Sequence, residues 1–119
     1  MDIKDILTKI HEDIKNQRKR LLYMKQKIEE QQEILKLWEL EQITDIADAV
    51  NENGKPIYSN ETKRQAELER RKKESQEYQK MTQELKELKF EYDLAVIILQ
   101  GMLDQQENAR ALARIEGVA

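Results

Sequence analysis

The side chains able to do chemistry are few and scattered. His11 is the only histidine, flanked by Glu12 and Asp13 and off any apolar stripe. A lone imidazole there does not make a metal site, which needs several converging ligands. Ser59 and Ser75 have no base at a spacing that would activate a hydroxyl nucleophile. Adjacent carboxylates such as Glu29 and Glu30 project in different directions from a helix and need a pocket to shift their pKa values. There is no cysteine, which removes thiolate ligands, disulfides and Cys nucleophiles. No glycine-rich phosphate motif is present. The expectation is a protein without catalysis, cofactor, metal or small-molecule substrate.

The remaining chemistry belongs to cations. KNQRKR holds Lys15, Arg18, Lys19 and Arg20, and ERRKK holds Arg70, Arg71, Lys72 and Lys73. Such runs can contact phosphates through salt-sensitive charge pairing, and Tyr58 and Tyr78 can stack on unpaired bases. They are equally suited to solvated helix faces, since acids flank both runs and successive helical residues point apart. A third basic group lies in NENGKPIYSNETKR, residues 51–64, with Lys55, Lys63 and Arg64 around Tyr58.

The elements that carry these residues are long helices. Charged residues make up 38% of the 119, aromatics 5%, and Pro and Gly are scarce. Disordered chains are rich in Pro, Gly and Ser; this chain has the Glu, Lys, Leu, Ile and Gln of long helices. The net charge of −3 gives no overall pull on nucleic acid. Residues 1–10 alternate charged and apolar residues, unlike a signal peptide, and the longest apolar run, Leu94 to Leu99, is too short to span a bilayer. These features fit a cytoplasmic protein without membrane contact.

Stepping by four and three from Ile3 gives Leu7, Ile10, Ile14, Gln17, Leu21, Met24, Ile28, Gln31, Leu35, Trp38 and Gln42, a heptad seam whose only polar members are Gln. Beyond Leu35 the phase slips by an eleven-residue step to Ile46, with Ile43 and Val50 following. The pattern predicts one helix over residues 3–49. A second seam runs through Tyr78, Met81, Leu85, Leu88, Tyr92, Ala95, Leu99 and Met102. Upstream of it lies ELERRKKESQE, supported by Glu-to-Lys and Glu-to-Arg pairs worth ~0.2–0.5 kcal/mol each. The second helix is predicted over residues 60–113, with Gly101 inside it at a cost of ~1 kcal/mol.

Residues 50–59 connect the two. Asn53-Gly54 is a hairpin-turn signal. Pro56, the only proline, forbids helix and pushes Lys55 toward extended backbone. Ser59 or Asn60 then caps the second helix, with Glu61 complementing its dipole. The fold class expected is all-α: a single domain, an antiparallel helical hairpin of coiled-coil type with a turn or β-hairpin tip. By this register, Trp38 lies near residues 69–74.

Apolar surface is in surplus at LAVIILQGML, residues 94–103, which lies beside residues 7–16 in such a hairpin. A stripe that broad calls for more than one neighbour. Self-association is therefore expected through Ile6, Ile10, Leu94, Ile97, Ile98, Leu99, Met102 and Leu103. The alternative cover is residues 105–115 folding back, through Ala109, Leu112, Ala113 and Ile115. Partner contact is expected at Lys55, Tyr58, Asn60, Lys63 and Arg64, with Arg70 and Arg71 beside them.

NENGKPIYSNETKRQAELERR resembles a pattern of small, largely uncharacterised coiled-coil proteins of phages and mobile elements. In these, a long helix is followed by GKP-x-YSNE-x-(K/R)R and a charged second helix bearing a Tyr some twenty residues on. Gly54, Lys55, Pro56, Tyr58, Ser59, Asn60, Glu61, Lys63, Arg64 and Tyr78 match it. The motif spans under a quarter of the chain, and the resemblance implies phage origin more than mechanism. The architecture is also similar to prefoldin-type hairpins, an analogy of shape alone. Together these lead to an oligomeric phage accessory protein that binds another protein. Two other functions fit the same residues: single-stranded DNA binding in support of phage recombination or replication, and inhibition of a host defence system.

Overall fold

The computed structural model describes residues 2–117. It contains three helices, α1 (Ile3–Asp48), α2 (Glu61–Glu74) and α3 (Gln76–Ile115), and no strand among the described residues beyond one isolated bridge. The all-α class and the two helical stretches around a reversal are as the sequence predicts. The chain divides into two compact units, Met1–Lys27 with Leu88–Ala119, and Ile28–Glu87.

In the first unit the N-terminal part of α1 pairs with the C-terminal part of α3. Asp2 starts α1 by accepting the Asp5 N–H at 2.9 Å. Ile14, Ala95, Ala109 and Ala113 are buried along the paired faces, and so is Gln17. Gln17 Nε2 donates to the Ala95 carbonyl at 2.9 Å, which explains a glutamine in an apolar seam. A buried polar group bonded to one backbone oxygen fixes register at some cost in stability. Ile3, Ile6 and Ile10 share a groove with Ala109 and Leu112, so the two segments run antiparallel. Residues 105–115 thus continue α3 and do not fold back over it.

The second unit is a hairpin closed by the tip. Val50 and Pro56 form an antiparallel bridge. Asn51 N donates to the Lys55 carbonyl at 2.8 Å, and Gly54 N to the Asn51 carbonyl at 3.0 Å. Asn51 Oδ1 accepts from both Asn53 N and Lys55 N. Within the tip, Gly54 alone has positive φ, at 75°, so this is a turn closed by a left-handed glycine, not the Asn-Gly turn with two positive φ angles. Asn60 caps α2 by accepting the Lys63 N–H at 2.9 Å.

Two expectations need correction. The second helix is not continuous over 60–113: it breaks at Ser75, whose backbone is extended (φ −79, ψ 111). Ser75 Oγ accepts the Tyr78 N–H at 3.0 Å, and Gln79 Nε2 donates to the Lys72 carbonyl left over by the interruption. Serine competes poorly inside helices and well at N-caps. Arg71, Lys72 and Lys73 before it and Glu77 after it suit one helix end followed by a new start.

Secondly, the eleven-residue step buries Ile46, at 2% exposure, but leaves Ile43 and Val50 exposed. Trp38 packs on Tyr78, with ring centroids 4.6 Å apart and planes tilted by 35°, while its neighbour Glu39 pairs with Lys72, so the expected register near residues 69–74 is close to the one found. Asp45 pairs with Arg71, so the last turn of α1 stands beside the second half of α2.

Candidate functional site

Where α2 faces α1, its sequence supplies almost no apolar side chain. Leu68 is buried, and the neighbouring seam positions carry Glu67, Arg71 and Lys72. Glu67 is the organising group, its side chain 8% exposed. It accepts from Arg70 Nε at 2.9 Å and Arg71 Nε at 2.9 Å. Arg71 also reaches Asp45 at 2.6 Å and Gln42 Oε1 at 3.0 Å on α1. Arg70 reaches Glu74 at 2.6 Å. Lys72 pairs with Glu39 at 3.4 Å and lies 5.7 Å from the Tyr78 ring centre, and the Tyr78 hydroxyl donates to Glu39 at 3.2 Å.

The hydrogen bonds from Arg70 and Arg71 hold the Glu67 carboxyl down to about 2. Asp45 and Glu67 in turn raise Arg71. An ionic ladder therefore joins the helices where a leucine seam would be expected. Its cations lay their stems along the contact and keep their charged heads paired.

That arrangement sorts the residues expected to make partner contacts. Arg70 and Arg71 are committed to carboxylates within the chain. The Asn60 side chain is the α2 cap. Arg64 Nε donates to the Tyr58 carbonyl at 3.2 Å, which ties the arm to α2. Lys63 Nζ lies 3.4 Å from Ser59 Oγ, and Lys55 stands exposed at the turn. Lys55, Tyr58, Asn60, Lys63 and Arg64 do come together at the tip, and hydrogen bonds there give Asn60 and Arg64 a part in building it.

The residues expected at an oligomer interface divide as well. Leu99, Met102 and Leu103 are half-buried, Leu99 and Met102 on the α3 seam, and Ile6 and Ile10 line the α1–α3 groove. Leu94, Ile97 and Ile98 are exposed, Ile97 at 65%. Phe90, which the sequence analysis missed, is 63% exposed. Phe90, Leu94, Ile97 and Gly101 follow steps of four, three and four, a second heptad stripe on the face away from α1. That spacing was the signal for Phe90. The surroundings of Gly101 are open, with nothing within 4 Å of where a Cβ would stand.

No group of three or more His, Asp or Glu side chains is placed to hold a metal ion among the described residues, and no described helix is long and apolar enough to cross a membrane. Compared with known protein families, curated proteins and solved structures, the chain matches none.

Proposed function

We propose that this chain is a non-enzymatic, self-associating helical module that binds another protein. The observation that carries this is the outward stripe of Phe90, Leu94 and Ile97 on α3, three large apolar side chains in heptad spacing left exposed at the surface. Burying such side chains gives ~1.5–3 kcal/mol each, and exposed stripes of this kind mark association. Leu99 and Met102 belong to the pairing inside the first unit; Leu94, Ile97 and Ile98, with Phe90, carry the assembly. The tip, with Lys55, Tyr58 and Lys63 at its surface, is the proposed contact for the partner. The turn motif adds a phage or mobile-element setting, within a host cytoplasm, to this proposal, and a prefoldin-like outline rests on the sequence pattern. Single-stranded DNA binding is the weaker reading, because Arg70 and Arg71 are already neutralised by Glu67, Glu74 and Asp45.

The test is the solution mass by light scattering in about 0.5 M salt, where charge-dependent surface contacts are screened. The wild type is expected at a multiple of 14.2 kDa, and Ile97→Asp at the single-chain mass with unchanged helicity. A monomeric wild type, or an Ile97→Asp variant of unaltered mass, removes the proposal.

A further inference from the structure

Helix α1 segregates its charge along its length. Residues 14–28 hold Lys15, Arg18, Lys19, Arg20, Lys25 and Lys27 and no acid. Residues 29–48 hold seven acids and one base, Lys36. Two of those acids are used within the chain, Glu39 by Lys72 and Asp45 by Arg71. Glu29, Glu30, Glu33, Glu41 and Asp48 make no ion pair among the described residues, and neither does any of the six bases.

Each charged stretch also exposes apolar side chains. In the first unit Leu22 and Tyr23 are 66% and 67% exposed, each beside a groove walled by lysine and arginine. In the second unit Leu37, Leu40 and Ile43 are exposed and line a groove with Glu33, Lys36 and Glu39. This face points away from the seam that buries Ile46, so α1 is apolar on two sides here. A helix apolar on two sides needs a second neighbour.

We propose that the apolar face at Leu37, Leu40 and Ile43 of one copy, set in the acidic stretch of α1 with Glu29, Glu30, Glu33 and Glu41 unpaired around it, docks the basic face at Leu22 and Tyr23 of a second copy. The two are complementary in both terms that govern helix docking. Leucine and tyrosine meet leucine and isoleucine, and an acid-free basic stretch meets a stretch with one base. Opposed charge of this kind steers encounter and sets which surfaces pair. The contact is independent of the α3 stripe and is expected to weaken as salt rises.

The test is a charge-swap complementation by analytical ultracentrifugation at low salt, with Ile97→Asp in every chain so that the α3 stripe is disabled. One variant adds Lys15→Glu and Lys19→Glu; the other adds Glu33→Lys and Glu41→Lys. All four positions are exposed, and circular dichroism checks that helicity is kept. The Ile97→Asp parent is expected to self-associate. Each charge variant alone is expected to associate on the order of tenfold or more weakly than that parent. An equimolar mixture is expected to recover association, because one variant then offers acid and the other base. A parent that does not associate at low salt, variants as associated as the parent, or a mixture no tighter than its components would each overturn the proposal. So would a basic-face variant that keeps its mass while losing affinity for a single-stranded oligonucleotide. The outcome does not depend on whether Ile97→Asp lowers the mass at high salt, so the two interfaces fail separately.

Discussion

Ile46→Ala is expected to lower stability by roughly 3 kcal/mol, within the range for truncating a buried isoleucine. Ile46 is 2% exposed, and it is the largest fully buried side chain. It sits where the α1 seam changes phase, opposite the stretch of α2 with the least apolar surface. The adjacent Asp45 is held by Arg71 of α2, and Arg71 in turn by Glu67. They have little freedom to collapse into a cavity, so the loss includes the cavity and not only the transfer of the deleted atoms. A thermal melt followed by helical circular dichroism, at fixed protein concentration, should show the midpoint falling by about 10 °C. Ile43→Ala, on the exposed face of the same helix, should leave the midpoint of the Ile97→Asp variant at high salt almost unchanged. If Ile46→Ala behaved in the same way, the burial described for the phase-shifted seam would be wrong.

Glu67→Gln is expected to be the second costly change, at about 2 kcal/mol near neutral pH. Removing one partner of a buried ion pair costs ~3–5 kcal/mol where the remaining charge is sealed off. Here Arg71 keeps Asp45, Arg70 keeps Glu74, and Arg70 is half exposed, so the cost is smaller. The pH dependence separates charge from packing. The folded Glu67 carboxyl is held at about 2, against 4.5 for the unperturbed group. A depressed folded pKa contributes stability that is full above 4.5 and is lost as pH falls from 4.5 toward 2. The melting midpoints of wild type and Glu67→Gln should therefore differ most at pH 6–7 and converge in acid. A difference that stayed constant down to pH 2 would mean that Glu67 acts through shape alone.

Much of the fold was written in local pattern. The heptad steps from Ile3 and from Tyr78 place the paired faces, because a narrow apolar stripe leaves a helix one way to bury itself. Gly54, Pro56 and Asn60 mark the reversal, because left-handed φ, a missing N–H and an N-cap each demand a particular residue type. The candidate surfaces were half legible. Leu94, Ile97 and Ile98 stood out as surplus apolar residues, whereas Phe90 escaped because charged neighbours hide its place in a second stripe.

The tertiary structure decided what local pattern leaves undetermined. Arg70 and Arg71 read equally well as phosphate ligands, and only the approach of Asp45 and the burial of Glu67 make them structural. Gln17 and Gln42 interrupt the seam in one dimension; across the gap they meet the Ala95 carbonyl and Arg71. Ser75 breaks the second helix with neither Gly nor Pro, once its hydroxyl and Gln79 satisfy the freed backbone groups. Each of these depends on a partner that is distant in the chain or on a trade between backbone and side-chain hydrogen bonds. Helical periodicity tells which way a side chain faces, and only the fold supplies what it meets.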